Sequence, residues 1–247
     1  HGYTPAPGFF SARKAIADYL NRSFDADYAP EDLFLTSGAC AALAIACAAM
    51  LSPGEEAVTL TPYFSEYRIY VEAAGGTLVE AASDPDTFQL DLAALERAVT
   101  EKTALLILNS PNNPSGVVLS RESLTAVAEL LRRRSAAYGH TIYILADEPY
   151  RDLVYGGLEV PFLPEIYPDT VYCTSFSKSL SLAGERVGYL AVSKHVAAHA
   201  QLLTAVGGAA RALGYVNVSS LFQLVAAECV GKTVDVSIYE RNRDYLY

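Results

Sequence analysis

Tyr143-Ile144-Leu145-Ala146-Asp147-Glu148-Pro149-Tyr150 joins a short apolar run to an abrupt cluster of acid, proline and tyrosine. The run over residues 141–145 reads as a buried strand, and the polar residues that follow it read as a turn at the strand's carboxyl end. The same succession recurs outward from this point. Further β-branched or leucine-rich runs occupy residues 33–36, 57–60, 77–80, 104–108, 170–173 and 187–192. Amphipathic or alanine-rich helical stretches alternate with them at residues 10–20, 39–51, 65–74, 92–99, 121–138 and 194–206. Asp91 and Ser120 stand where two of these helices need an N-cap. Strand–helix alternation implies right-handed crossovers, and the expected fold is a three-layer α/β/α domain with a mainly parallel sheet of roughly seven strands.

The bulk properties agree. The chain has 247 residues, 51% hydrophobic and 19% charged, enough to bury a sizeable core. A formal net charge of −10 argues against nucleic acid as a partner. The apolar run over residues 39–51 is shorter than the roughly 20 residues that a bilayer requires, and no membrane association is expected. Cys40, Cys47, Cys173 and Cys229 form no C-x-x-C pair and read as small core residues of a protein in the reducing cytoplasm. Gly207 and Gly208 interrupt a helical pattern and suggest a local bend. Beyond Ser219 the pattern is helical, over residues 221–230 and from 234 to the end. Because the chain opens at His1 and ends at Tyr247 inside a helical pattern, it is expected to be a fragment.

In open parallel sheets ligands sit beyond the carboxyl ends of the strands, so the segments after the runs are the ones to inspect. Ser175-Phe176-Ser177-Lys178, with Arg186 downstream, follows one run. Of five lysines only Lys178 follows a buried-looking strand, where desolvation would favour a neutral, nucleophilic amine. Ser175, Ser177 and Arg186 are suited to a phosphate, although a surface lysine with capping serines is the plainer reading. Asp147 could pair with a protonated ring nitrogen and Tyr150 with a ring oxygen, although both residues are also ordinary in turns. Asn109-Ser110-Pro111-Asn112-Asn113-Pro114-Ser115-Gly116 is a rigid loop in which Asn113 offers a donor and an acceptor, or else a crossover turn satisfying its own backbone. Gly38-Ala39-Cys40 opens a helix whose free N–H groups suit an anion, as at many helices.

Taken together, these motifs resemble the large domain of the fold-type I pyridoxal-phosphate-dependent aminotransferases, class I/II, the aspartate aminotransferase superfamily. The resemblance runs from His1-Gly2-Tyr3-Thr4-Pro5 to the last helix, and includes Pro62-Tyr63-Phe64-Ser65-Glu66-Tyr67, Asn-Asn-Pro-Ser-Gly, Asp-Glu-Pro-Tyr and Ser-Phe-Ser-Lys in order. It implies a cofactor, pyridoxal 5'-phosphate, held by Lys178 as a Schiff base, with Lys178 also moving the substrate Cα proton. Asp147 would keep the ring nitrogen protonated, Tyr150 and Asn113 would bind the ring oxygen, and Phe64 would stack on the ring. Gly38 shapes the turn at which Ala39, Cys40, Ser175, Ser177 and Arg186 would hold the phosphate. Tyr3 would reach the phosphate of a neighbouring subunit, which implies a homodimer. The substrates implied are an amino acid and a 2-oxo acid.

The resemblance divides the chain into a cofactor-binding domain, residues 1–218, and a helical segment, residues 219–247, leading toward a small domain. The family's clamp for the substrate carboxylate lies in that small domain, and neither Arg241 nor Arg243 is assignable to it. Alternatives to transamination are β-elimination as a C–S lyase, a ligand-sensing domain of a transcription regulator, or a non-catalytic scaffold. His195 and His199 stand four apart on an expected helix, a zinc-compatible spacing that lacks a third ligand and reads better as an exposed face. Arg132-Arg133-Arg134 reads as a solvated run at a helix end.

Overall fold

A computed structural model describes residues 2–232 and 234–246; His1, Thr233 and Tyr247, including the first and last residues of the spans expected above, lie outside them. The strands are β1 (Leu33–Thr36), β2 (Glu56–Thr61), β3 (Thr77–Ala82), β4 (Thr103–Asn109), β5 (Tyr143–Asp147), β6 (Thr170–Ser175) and β7 (Gly188–Val192). They form a seven-stranded sheet in the order β1-β7-β6-β5-β4-β2-β3. Strands β3, β2, β4, β5 and β6 pair in parallel, and β7 runs antiparallel to both β6 and β1. The α/β expectation therefore holds, including the mainly parallel sheet. A parallel return is usually made by a helix that crosses the sheet face. The connection between β6 and β7, residues 176–187, holds only one short helical turn and a 3-10 turn, and β7 comes in reversed.

The helices are α1 (Phe10–Phe24), α2 (Gly38–Met50), α3 (Glu66–Ala73), α4 (Leu92–Ala98), α5 (Arg121–Tyr138), α6 (Leu163–Ile166), α7 (Phe176–Ser179), α8 (His199–Ala212), α9 (Ser220–Cys229) and α10 (Ser237–Leu246). Strand pleating sorts β4 onto two cores. Leu106 and Leu108 join Ile16 and Leu20 of α1 and Leu124, Val127 and Leu131 of α5, whereas Leu105 and Ile107 join Leu43 and Ala46 of α2 and Val206 of α8. Each such fully buried aliphatic side chain stabilises the fold by on the order of 2 kcal/mol. Asp91 and Ser120 cap α4 and α5 as expected, accepting from the backbone N–H of Ala94 and Ser123. Gln223 ties α9 to the entry of α1: buried, it accepts from Phe9 N at 2.7 Å and donates to Val218 O at 2.7 Å.

Four local expectations are corrected. Gly207 and Gly208 cause no break, because α8 runs through them with Leu202, Val206, Ala209 and Ala210 buried on its inner face. Tertiary burial outweighs the roughly 1 kcal/mol per residue that glycine costs a helix. The same helix begins at His199, not at 194. Side chains hold the preceding segment in turns instead: Ala197 N donates to Asp169 Oδ1 at 2.6 Å, and Lys194 and His195 both pair with Asp27. His195 is thus off the helix, His199 pairs with buried Asp32, and no potential metal-binding group of three occurs among the described residues. Finally, the arginine run is solvated as expected at Arg132 and Arg133, but it lies before the helix end, since α5 continues to Tyr138, and it makes surface contacts. Arg132 donates to Ile166 O at 2.7 Å, and Arg133 and Arg134 pair with Glu96. No described helix is long and apolar enough to cross a membrane.

Candidate active site

Strand β5 runs two residues beyond the expected span, which makes Asp147 its last residue. Parallel pairing sets Asn109, the last residue of β4, directly opposite Asp147. The carboxyl ends of β1, β2, β4, β5 and β6 consequently lie along one edge, and the segments after them enclose a cavity of about 200 Å3. Ala39 and Cys40 line it from the start of α2, Phe64 from the turn after β2, and Asn113 from the loop after β4. Asp147 and Tyr150 come from the end of β5, and Ser175, Ser177, Lys178 and Arg186 from β6, α7 and the turn beyond. Sequence separations of well over a hundred residues close to a few ångströms here.

Asp147 is the electrostatic centre. It is 4% exposed, and burial pushes its carboxyl up to about 6 while a hydrogen bond from Tyr67 opposes the shift. That bond, Tyr67 Oη to Asp147 Oδ2, is 2.6 Å long and buried. The Tyr67 phenol is itself raised well above its ordinary value, first by burial and then by the facing carboxylate, so it remains a donor. The second oxygen, Asp147 Oδ1, is buried with no hydrogen-bond partner.

Around this carboxylate the sequence-nominated residues take definite places. Lys178 stands in α7, its Nζ 5.7 Å from the Tyr150 ring centroid. It is exposed, contrary to the desolvated setting expected for it, although it lines the cavity. The Phe64 ring meets Tyr67 edge-on at 5.7 Å. Arg186 adopts a left-handed backbone conformation at φ 53° and folds its guanidinium over Gly38, donating to Ala183 O at 2.9 Å. Gly38 is required there: its φ is +82°, and a Cβ would sit 2.5 Å from Arg186 Nη2. Tyr3 is 95% exposed and is not part of this cavity.

Tyr67 and Asn109 both lie inside motifs quoted above, yet the sequence assigns neither a role. The spacing of three between Phe64 and Tyr67 is a local signal that places both near the helix start. The role of Asn109 has no local signal, since it depends on β4–β5 register. The arrangement opposes a primary amine to a buried carboxylate across hydroxyls, an amide and a guanidinium. That set can hold a phosphorylated ring compound and condense an amine with its carbonyl.

Known proteins agree with this reading. The family model "Aminotransferase class I and II" matches residues 1–246. The chain is similar to the aspartate aminotransferase of Thermotoga maritima, 36% identical over 198 residues that cover 79% of this chain and 51% of that protein. It is similar to the aspartate/prephenate aminotransferase of Thermus thermophilus, 35% identical over 197 residues, 78% of this chain and 49% of that one. Among solved structures, a crystal structure of an aminotransferase from Eubacterium rectale superposes with a TM-score of 0.98 at 47% identity, over all of this chain and 62% of that one. The chain thus spans about half the length of the curated relatives it matches. With sheet order, cavity and sequence in accord, the chain belongs to the class I and II aminotransferase family.

Proposed function

We propose that this chain is the cofactor-binding part of an aminotransferase that moves an amino group between an amino acid and a 2-oxo acid. The observation that carries the proposal is that Lys178 and Asp147 line one cavity, with Asp147 Oδ1 buried and unpartnered. The family's cofactor is pyridoxal 5'-phosphate, and the residues present fit it. An orphaned carboxylate oxygen suits a protonated ring nitrogen, and the Gly38 turn with Arg186 laid over it suits a phosphate.

In this reading Lys178 holds the cofactor covalently through Nζ. Asp147, kept ionised by Tyr67, pairs with the ring nitrogen. Asn113 and Tyr150 donate to the ring oxygen, and Phe64 covers a ring face. Ala39, Cys40, Ser175, Ser177 and Arg186 bind the phosphate. When bound, the cofactor supplies an electron sink for the charge left at the substrate Cα. Lys178 Nζ, as a free amine beside the bound substrate, would take the proton from the substrate Cα and hold it for return to the reacting system. Tyr3, exposed on this chain, serves the phosphate site of a second copy, which makes the working unit a homodimer. Residues 1–218 act as the cofactor domain and residues 219–247 lead toward a smaller one. Four free cysteines suit a cytoplasmic location.

The test is a visible absorbance titration with pyridoxal 5'-phosphate, followed by borohydride reduction and peptide mapping. A band that becomes fixed on Lys178 and is absent from Lys178→Ala supports the reading. A band fixed on another lysine, or no band, overturns it.

A further inference from the structure

We propose that Asn109 is a positioning residue that sets the distance between Asn113 and Asp147, and so the spacing at which the cavity grips a ring compound. The inference rests on the cofactor reading given above. Asn109 is 6% exposed at the end of β4, directly opposite Asp147 on β5. Its Nδ2 donates to Asp147 O at 2.7 Å, and its Oδ1 accepts from Asn113 N at 2.6 Å. One planar amide therefore joins the strand that carries the carboxylate to the loop that carries the other ring-facing group. Both ends are engaged, so the amide has a single workable orientation.

The loop it holds is braced within itself. Asn112 N donates to Val117 O at 2.9 Å, Gly116 N to Asn112 O at 2.8 Å, and Asn112 Oδ1 accepts from Ser115 N at 3.0 Å. At the far side Leu119 N donates to Ser110 Oγ at 2.9 Å. A loop closed on itself moves as a unit, so its tilt relative to β5 depends on what ties it to the sheet. Asn109 supplies that tie at the point nearest Asn113. Misplacing a binding group by about 1 Å is costly in a preorganised site, which makes the amide a sensitive control.

The experiment compares the parent chain with Asn109→Ala, Asn113→Ala and the double variant. Each is titrated with pyridoxal 5'-phosphate by absorbance, and the pH midpoint of the visible band is recorded. Asn109→Ala is expected to weaken cofactor binding about tenfold. It is also expected to move the pH midpoint in the same direction as Asn113→Ala, with the double variant adding less than the sum. A midpoint unchanged from the parent, or effects that add in full, would overturn the proposal while leaving the cofactor reading intact. No band from the parent overturns both. Should Asn109→Ala fail to fold, amide exchange on the parent chain decides instead. A slowly exchanging Asn113 N–H supports the tie, and exchange at the rate of a free loop overturns it.

Discussion

Tyr67 and Asp147 lie 80 positions apart in the chain and share a buried 2.6 Å hydrogen bond, phenol to carboxylate. The bond occupies one carboxylate oxygen and leaves Oδ1 buried without a partner, in a residue that lines the cavity. Burial alone would drive Asp147 toward its neutral form, and the phenol opposes that. Tyr67→Phe is expected to raise the Asp147 carboxyl above its present value of about 6. The pH below which pyridoxal 5'-phosphate binding weakens should then move up, and stability should fall by about 1–3 kcal/mol. Cofactor affinity measured from pH 5 to 9 checks this; curves that superpose on those of the parent would refute it.

Asp147 itself gives a prediction of opposite sign. Its carboxyl is raised from 3.8 to about 6 by burial in the cofactor-free chain, so folding favours the protonated form. The stability this contributes is complete below pH 3.8 and is lost as pH rises through about 6. Asp147→Asn should therefore stabilise the cofactor-free chain at pH 7.5, by on the order of 1–3 kcal/mol, and make no difference below pH 4. The same variant should lose cofactor binding. Melting curves of both chains across pH decide it, and an Asn variant less stable than the parent at pH 7.5 would refute the account.

Gly38→Ala places a Cβ within 2.5 Å of Arg186 Nη2 at a φ of +82°. The strain should cost about 1 kcal/mol, or roughly 2–4 °C in Tm, and Arg186 should be displaced with a loss of cofactor affinity. Gly184→Ala is the control, since a Cβ there meets nothing within 4 Å. Equal behaviour of the two variants would count against the Gly38–Arg186 cradle.

Behind the cavity, the side chains of Arg151 and Glu148 are 10% and 1% exposed and are joined at 2.5–2.6 Å. Arg151 also donates to Val160 O and Pro161 O, at 2.6 and 2.8 Å. Arg151→Ala strands a buried carboxylate and should cost about 3–5 kcal/mol. Burial holds Glu148 up at about 7, and Arg151 is the main influence lowering it. Its removal raises the value further, so the loss should grow as pH rises from 5.5 to 8. Denaturant titrations at both pH values test this, and Glu148→Gln in the same background should restore part of the loss.

Much of the site was legible before folding because strand ends announce themselves locally. Apolar runs over 104–108, 141–145 and 170–173 stop at polar or turn residues, and the groups that line the cavity follow within a few positions. Asp91 and Ser120 were equally readable, since capping is a short-range matter. Helix limits were less so. Burial against α2 carries α8 through Gly207 and Gly208, and contacts of Lys194, His195 and Ala197 with residues far away delay its start.

By itself the sequence determined the α/β alternation, the edge on which the functional groups gather and most of their identities, because periodicity and turn chemistry act over a few residues. Only the tertiary structure decided that Lys178 stands exposed, that Tyr67 faces Asp147 and that Asn109 bridges Asp147 to Asn113. Those three relationships depend on strand register and helix docking, where partners tens of residues apart meet through packing that no local pattern encodes.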